Sequence, residues 1–242
     1  VNLLPPAVAG FSDDELLALY AAGAGSPWLR VNFVATLDGA ASAGGLSASL
    51  GGPDDLRVFD LLRRMADVVL VAAGTVRDEG YGPMVLHDAD VAWRREHGMS
   101  DHPVFAIVSG SLFTAAPVRP IVLTSAAAAS SDRAADLAAV AEVVPCSPAA
   151  SPDEVDAVLV RDALVARGLG TIHCEGGPSF LGSLVAADLV DELTLTIDPV
   201  LEGGAAPRIV RGTSPELRRM RPAHVLRGAG DVLLTRSVRA RG

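Results

Sequence analysis

Apolar positions along the 242 residues fall into two alternating rhythms. Short runs that are continuous or alternate residue by residue read as strands, and longer stretches with an apolar residue every third or fourth position read as helices. The run Asp67-VVLVAA-Gly74 is apolar throughout and of strand length, which predicts a central strand covered on both faces. VFAIVS (104–109), IVLTS (121–125), EVV (142–144) and TIHCE (171–175) predict further strands. WLRVNFVATLDG (28–39) is a β-rich run closed by Asp-Gly, and LVDELTLTIDPVL (189–201) alternates over a greater length. HVLRG and DVLLTRSV, joined through Gly228-Ala-Gly230, predict a terminal hairpin.

Helices are expected between these runs. Ser12-Asp-Asp-Glu15 has the form of a capping box. Gly52-Pro53-Asp-Asp opens a helix with Leu56, Phe59, Leu62 and Met65 along one side. Further helices are predicted over 132–140, from the Ser151-Pro152 cap to Arg167, and over PSFLGSLVAAD, while 87–102 is polar and reads as peripheral. No linker or repeat divides the chain. The expectation is a single α/β domain over 1–242, three-layered, with a mostly parallel central sheet and antiparallel C-terminal strands.

Composition removes several kinds of function. A net charge of −9 disfavours nucleic-acid binding. No apolar run reaches the ~20 residues of a membrane helix, and the opening VNLLPPAVAGFSDDE lacks the charged and apolar regions of a secretory signal. Cys146 and Cys174 are isolated, which predicts reduced thiols, a cytoplasmic setting and no metal site. All 20 basic residues are arginine, so lysine Schiff-base and P-loop chemistry are excluded. Any side-chain cation on a phosphate must be a guanidinium.

Candidate chemistry sits at strand-to-helix junctions. Gly23-Ala-Gly25 precedes a strand and lacks a third glycine, so it is no dinucleotide fingerprint. LVAA-Gly74-Thr75-Val-Arg77 and HCE-Gly176-Gly177-Pro178-Ser179 place small residues at strand C-terminal ends, where open α/β sheets bind ligands. Two such junctions on one sheet could hold an extended dinucleotide. Glu175 beside the second is either a dipole-complementing acid or one that faces a substrate. Asp38 carries the same ambiguity, because Asp-Gly is also a common turn.

VNFVATLDG, the following Gly/Ser loop, DLRVFDLLRRMADVVLVAAGTVRDEGYGP and CEGGPSFLGSLVAADLVDELTLTIDPVLEGG together resemble the pyrimidine reductase domain of riboflavin biosynthesis, over about 28–237. The resemblance leaves 1–27 as an N-terminal extension with a short helix. It implies a dihydrofolate-reductase-like fold and NADPH as cofactor. It implies Asp38 and Glu175 as catalytic, and Asn32, Thr36, Ser47 and Arg63 as substrate-binding, with Arg63 on the 5′-phosphate and Glu175 on the ribose. Ser49, Gly74, Thr75, Arg77, Glu79 and Ser109 would meet the cofactor, with Gly176, Gly177, Pro178, Ser179, Phe180 and Leu181 around its pyrophosphate. Asn32 stands where many bacterial members have lysine, and Glu79-Gly80-Tyr81 replaces an aspartate-proline. The zinc deaminase motif that often accompanies this domain is absent.

The reaction so implied is hydride transfer from NADPH to C1′ of a phosphoribosylamino-pyrimidine. Reduction of dihydrofolate or another pterin is the alternative, motivated by the two substrate-side departures, and a non-catalytic NADP(H) binder is a third. The alternating run at 189–201, if left at a sheet edge, predicts a homodimer through the late strands.

Overall fold

The computed structural model of the chain describes residues 4–21, 23–109, 119–212 and 217–240. Nine strands form one sheet: β1 (Trp28–Thr36), β2 (Val68–Ala72), β3 (Val104–Ser109), β4 (Ile121–Thr124), β5 (Glu142–Pro145), β6 (Thr171–Cys174), β7 (Glu192–Asp198), β8 (Met220–Arg227) and β9 (Leu233–Arg239). Eight helices accompany them: α1 (Asp13–Ala21), α2 (Pro53–Arg64), α3 (Ala73–Asp78), α4 (Asp88–Glu96), α5 (Ala126–Ala129), α6 (Asp132–Leu137), α7 (Ala157–Val165) and α8 (Pro178–Ala186). The strand order is β5-β4-β3-β2-β6-β1-β7-β9-β8. Pairings from β5 through β7 are parallel, and β7–β9 and β9–β8 are antiparallel.

Each face of the sheet has its own core. Leu29, Val31, Val68, Leu70, Ile172 and Cys174 point to one side and pack with Val160 and Leu164 of α7 and Leu181 and Leu184 of α8. On the other side, Leu16, Leu17 and Tyr20 of α1 pack with Val58, Leu61 and Leu62 of α2 and with Leu226 and Leu234 of the terminal strands. This is the expected three-layer architecture.

Four local expectations change. The run 189–201 is not an edge: β7 lies between β1 and β9, and the sheet ends at β5 and at β8, the latter interrupted by Pro222 and an irregular register. Such interruptions discourage strand-to-strand association, so the edge argument for a dimer falls. The stripe assigned to α2 splits, because Leu62 is fully buried whereas Leu56 is 61% exposed. Asp156, not Ser151, caps α7, accepting from the Val158 and Leu159 N–H groups. Finally, 87–102 is not merely peripheral. Arg94 of α4 is fully buried and donates to the Arg64 and Ala66 carbonyls at the end of α2, where a cation meets the negative pole of the helix.

The capping box at Ser12 forms as expected, with reciprocal bonds to Glu15. Beneath α1, Glu192 is fully buried between Arg30 (2.5 Å) and Arg236 (2.8 Å). The two guanidinium groups also bond the Tyr20 and Leu19 carbonyls, which pins α1 to the sheet.

Candidate active site

The C-terminal ends of β1, β2 and β6 converge because β6 inserts between β2 and β1. A cleft of about 490 Å³ opens there. Asn32 comes from β1, Ser47 from the following loop, Arg63 from α2, Thr75 from α3, Glu79 from the turn after it, and Glu175, Gly177 and Pro178 from the β6–α8 junction. These eight expected residues line one cavity.

Arg63 and Glu175 are joined by a two-pronged bond, Nε–Oε1 at 2.6 Å and Nη2–Oε2 at 2.7 Å. The guanidinium lies 4.1 Å over the Phe59 ring and 5.6 Å from that of Tyr81. Burial works to raise the Glu175 carboxyl, but the bonds and charge of Arg63, with His173 nearby, outweigh it and hold it at about 2. His173 is itself fully buried, which depresses its pKa and keeps the ring neutral. Glu175 borders the cleft with a carboxylate only 1% exposed. It thus anchors Arg63 at the edge of the cleft. Among the described residues nothing accepts from Arg63 Nη1, which leaves that donor for a ligand.

The β2–α3 and β6–α8 junctions touch: the Ala72 N–H donates to the Gly176 carbonyl at 2.8 Å. Gly176 has φ +107°, a conformation suited to glycine, and a Cβ at Gly177 would stand 2.6 Å from Thr75 Oγ1. Gly177 precedes α8 with no side-chain cap, and among the described residues the Ser179 and Phe180 N–H groups have no backbone partner. Bare backbone at a helix N-terminus suits a phosphate, and glycine at 177 lets the Thr75 hydroxyl approach the same turn. The residues present therefore fit a dinucleotide.

Other expected residues lie elsewhere. Thr36 and Asp38 do not line the cleft. The Thr36 hydroxyl donates to Asp38, whose carboxylate also accepts from the Glu202 and Gly203 N–H groups. Those bonds lower the exposed Asp38 carboxyl to about 2. The Asp-Gly sequence thus acts as a clasp on the 202–203 loop, using a short carboxylate's affinity for nearby N–H groups. Ser49 Oγ is spent on the Ala43 and Leu46 carbonyls. Phe180 and Leu181 are buried against the sheet, where α8 turns its third and fourth side chains inward. Gly74, Gly176 and exposed Ser179 flank the cleft without lining it, and Ser109 is buried at the end of β3. Arg77 is exposed on α3 and makes no hydrogen bond or ion pair with the described residues. Glu79 accepts from the Ser47 N–H at 2.8 Å, fastening the 42–50 loop over the cavity.

Sequence reasoning missed Asp55, Phe59, Tyr81 and Met84 as lining residues. The spacing Asp55–Phe59–Arg63 was the available signal, since positions four apart share a helix face.

Comparison with known proteins gives the lineage. Residues 27–234 match the RibD C-terminal domain. The chain belongs to that family. Within it, the chain is 30% identical over 188 residues to the 2,5-diamino-6-ribosylamino-4(3H)-pyrimidinone 5′-phosphate reductase of Methanothermobacter thermautotrophicus, covering 75% of this chain and 82% of that one. The enzyme of the same name from Archaeoglobus fulgidus is 26% identical over 202 residues, covering 78% and 88%. A crystal structure of a pyrimidine reductase-like protein from Corynebacterium diphtheriae superimposes with a TM-score of 0.80 at 25% identity, covering 93% and 95%. Among the described residues no helix is long and apolar enough to cross a membrane, and no cluster of three metal-ligating side chains occurs.

Proposed function

We propose that the chain is an NADPH-dependent reductase of a 6-ribosylamino-pyrimidinone 5′-phosphate, converting the ribosylamino group to ribitylamino. The observation that carries this reading is that the Gly177–Thr75 contact, at the bare N-terminus of α8, and the Arg63 guanidinium line one cleft. The nicotinamide supplies the hydride. The chain orients and encloses. Ser179 and Phe180 N–H groups receive pyrophosphate, and the exposed guanidinium of Arg77 meets the 2′-phosphate that distinguishes NADPH from NADH. Arg63, fixed by Glu175, directs its spare Nη1 to the substrate's 5′-phosphate. Phe33, Phe59 and Met84 add apolar surface to the walls, which strengthens the polar contacts beside it.

Loss of NADPH absorbance in the presence of the pyrimidine nucleotide tests the reading, with dihydrofolate as control. Turnover of the pyrimidine is expected, and none of dihydrofolate. A folded protein that oxidises NADPH with no pyrimidine candidate overturns it.

We also infer a cytoplasmic homodimer. A groove of about 380 Å³ lined by Leu181, Val185, Val190, Leu193, Val210 and Met220 together with Asp188, Arg218, Arg219 and Arg239, with Leu217 exposed, offers a surface of mixed character for a second copy. Light scattering decides between dimer and monomer.

A further inference from the structure

Asp55, in the first turn of α2, lines the cavity and has no cationic partner among the described residues. Its Oδ1 accepts from Thr196 Oγ1 at 2.5 Å, and its Oδ2 accepts from no described residue. Space for the carboxylate exists because residue 51 is glycine: a Cβ there would lie 2.4 Å from Oδ2. Gly51 has φ +89°, and its N–H is held by Asp198 Oδ2 at 2.9 Å.

A second polar group is fixed in parallel. Asn32 Oδ1 accepts from Thr194 Oγ1 at 2.7 Å, which leaves its amide N–H donors for the cleft it lines. Thr194 and Thr196 are two residues apart on one face of β7, so their Cα atoms stand about 6.7 Å apart. The strand therefore holds a donor, Asn32, and an acceptor with open lone pairs, Asp55, side by side.

The 2-amino-4(3H)-pyrimidinone edge presents an acceptor at the 4-oxo group and donors at N3–H and the 2-amino group. Its 2-oxo counterpart, a uracil ring, replaces the last donor by an acceptor. Resting on the proposed reductase function, the geometry points to Asp55 as the residue that selects the substrate, its carboxylate accepting N3–H and the 2-amino N–H while Asn32 donates to the 4-oxo oxygen. Against uracil the same carboxylate faces a carbonyl oxygen, a buried repulsion that rejects the ring. Burial, opposed by the Thr196 bond, and the charge of Asp198 raise the Asp55 carboxyl above its ordinary value. A ligand bringing two N–H donors supplies the stabilisation of the ionised form that the protein itself leaves out.

The test compares kcat/KM for the 2-amino and 2-oxo phosphoribosylamino-pyrimidines with the full chain and with Asp55→Asn, whose amide presents one donor and one acceptor. The wild type is expected to prefer the 2-amino substrate by about 100-fold or more. Asp55→Asn is expected to bring the two within about tenfold or to reverse the order. A wild type that accepts both equally overturns the assignment, as does a variant slowed equally on both, which would make Asp55 a proton donor. Turnover of neither substrate by folded wild type removes the reductase reading, and the assignment with it. Two further measurements apply should Asp55→Asn fail to fold. Thr196→Val, which frees the carboxylate to rotate, is expected to narrow the preference. The 2-amino ribitylamino product is expected to raise the melting temperature of wild type where the 2-oxo product does not, and equal shifts overturn the assignment.

Discussion

Arg63 and Glu175 lie 112 residues apart in sequence and meet through two bonds of 2.6 and 2.7 Å. The strand end supplies the acid and the cleft-facing side of α2 supplies the cation. Neither is free to move independently, so the one donor left over is aimed.

Replacing Glu175 by Gln keeps the shape and removes the charge. The Glu175 carboxyl is depressed from 4.5 to about 2 in the folded state, so its contribution to stability is present above 4.5 and lost as pH falls toward 2. Denaturation midpoints of wild type should fall steeply across that window, and those of Glu175→Gln should fall less. At neutral pH the variant is expected to raise KM for the phosphorylated substrate by more than about tenfold, because Arg63 is no longer held. Equal acid profiles in the two proteins would contradict this.

The Arg30–Glu192–Arg236 cluster is a structural counterpart. Glu192→Gln leaves two buried guanidinium groups without a counter-charge. A loss of about 3–5 kcal/mol is expected in urea unfolding. Since the cluster holds α1 and lines no part of the cleft, kcat of the surviving folded fraction should be unchanged.

Gly177→Ala overcrowds the contact between the two junctions, its Cβ 2.6 Å from Thr75 Oγ1. The expected outcome is a rise of about tenfold or more in KM for the nicotinamide cofactor, roughly 1.4 kcal/mol. Thr75→Ala in the same chain should restore part of the affinity, a coupling that a double-mutant cycle measures.

Gly182→Ala probes the far side of α8, where a Cβ would be 1.9 Å from the Arg211 carbonyl oxygen. Backbone cannot yield as a side chain does, so a cost of about 1–3 kcal/mol is expected. The displaced 205–212 loop also carries Pro207, which lines the cleft and accepts from the Ala41 N–H. Substrate KM should rise together with the loss in melting temperature.

Much of this architecture was legible in the sequence because strand length and unbroken apolarity need no partner to be recognised. Val68–Ala72 declares a buried strand by itself. Edge status does not work that way: Glu192–Asp198 alternates like a half-exposed strand, yet it is paired on both sides, its polar face occupied by Thr194, Thr196 and the ion cluster. The site divides similarly. Gly176, Gly177 and Thr75 were visible through local turn chemistry. The partnership of Arg63 with Glu175, and that of Asp55 with Thr196, joins residues more than a hundred positions apart, and no local spacing encodes it. Asp38 was ambiguous for the opposite reason, since a carboxylate in a turn reads alike whether it faces a ligand or its own backbone.

The placement of β6 between β2 and β1 also sets a timetable. As the chain leaves the ribosome, β1 and β2 begin 143 and 103 residues before the strand that must separate them. Until then the sheet has a slot at its middle, and the Thr75 loop has no opposite bank. A nascent polypeptide ending short of residue 171 is thus expected to present two unjoined apolar strands, a task for holdase chaperones, and coenzyme capture becomes possible only late in translation.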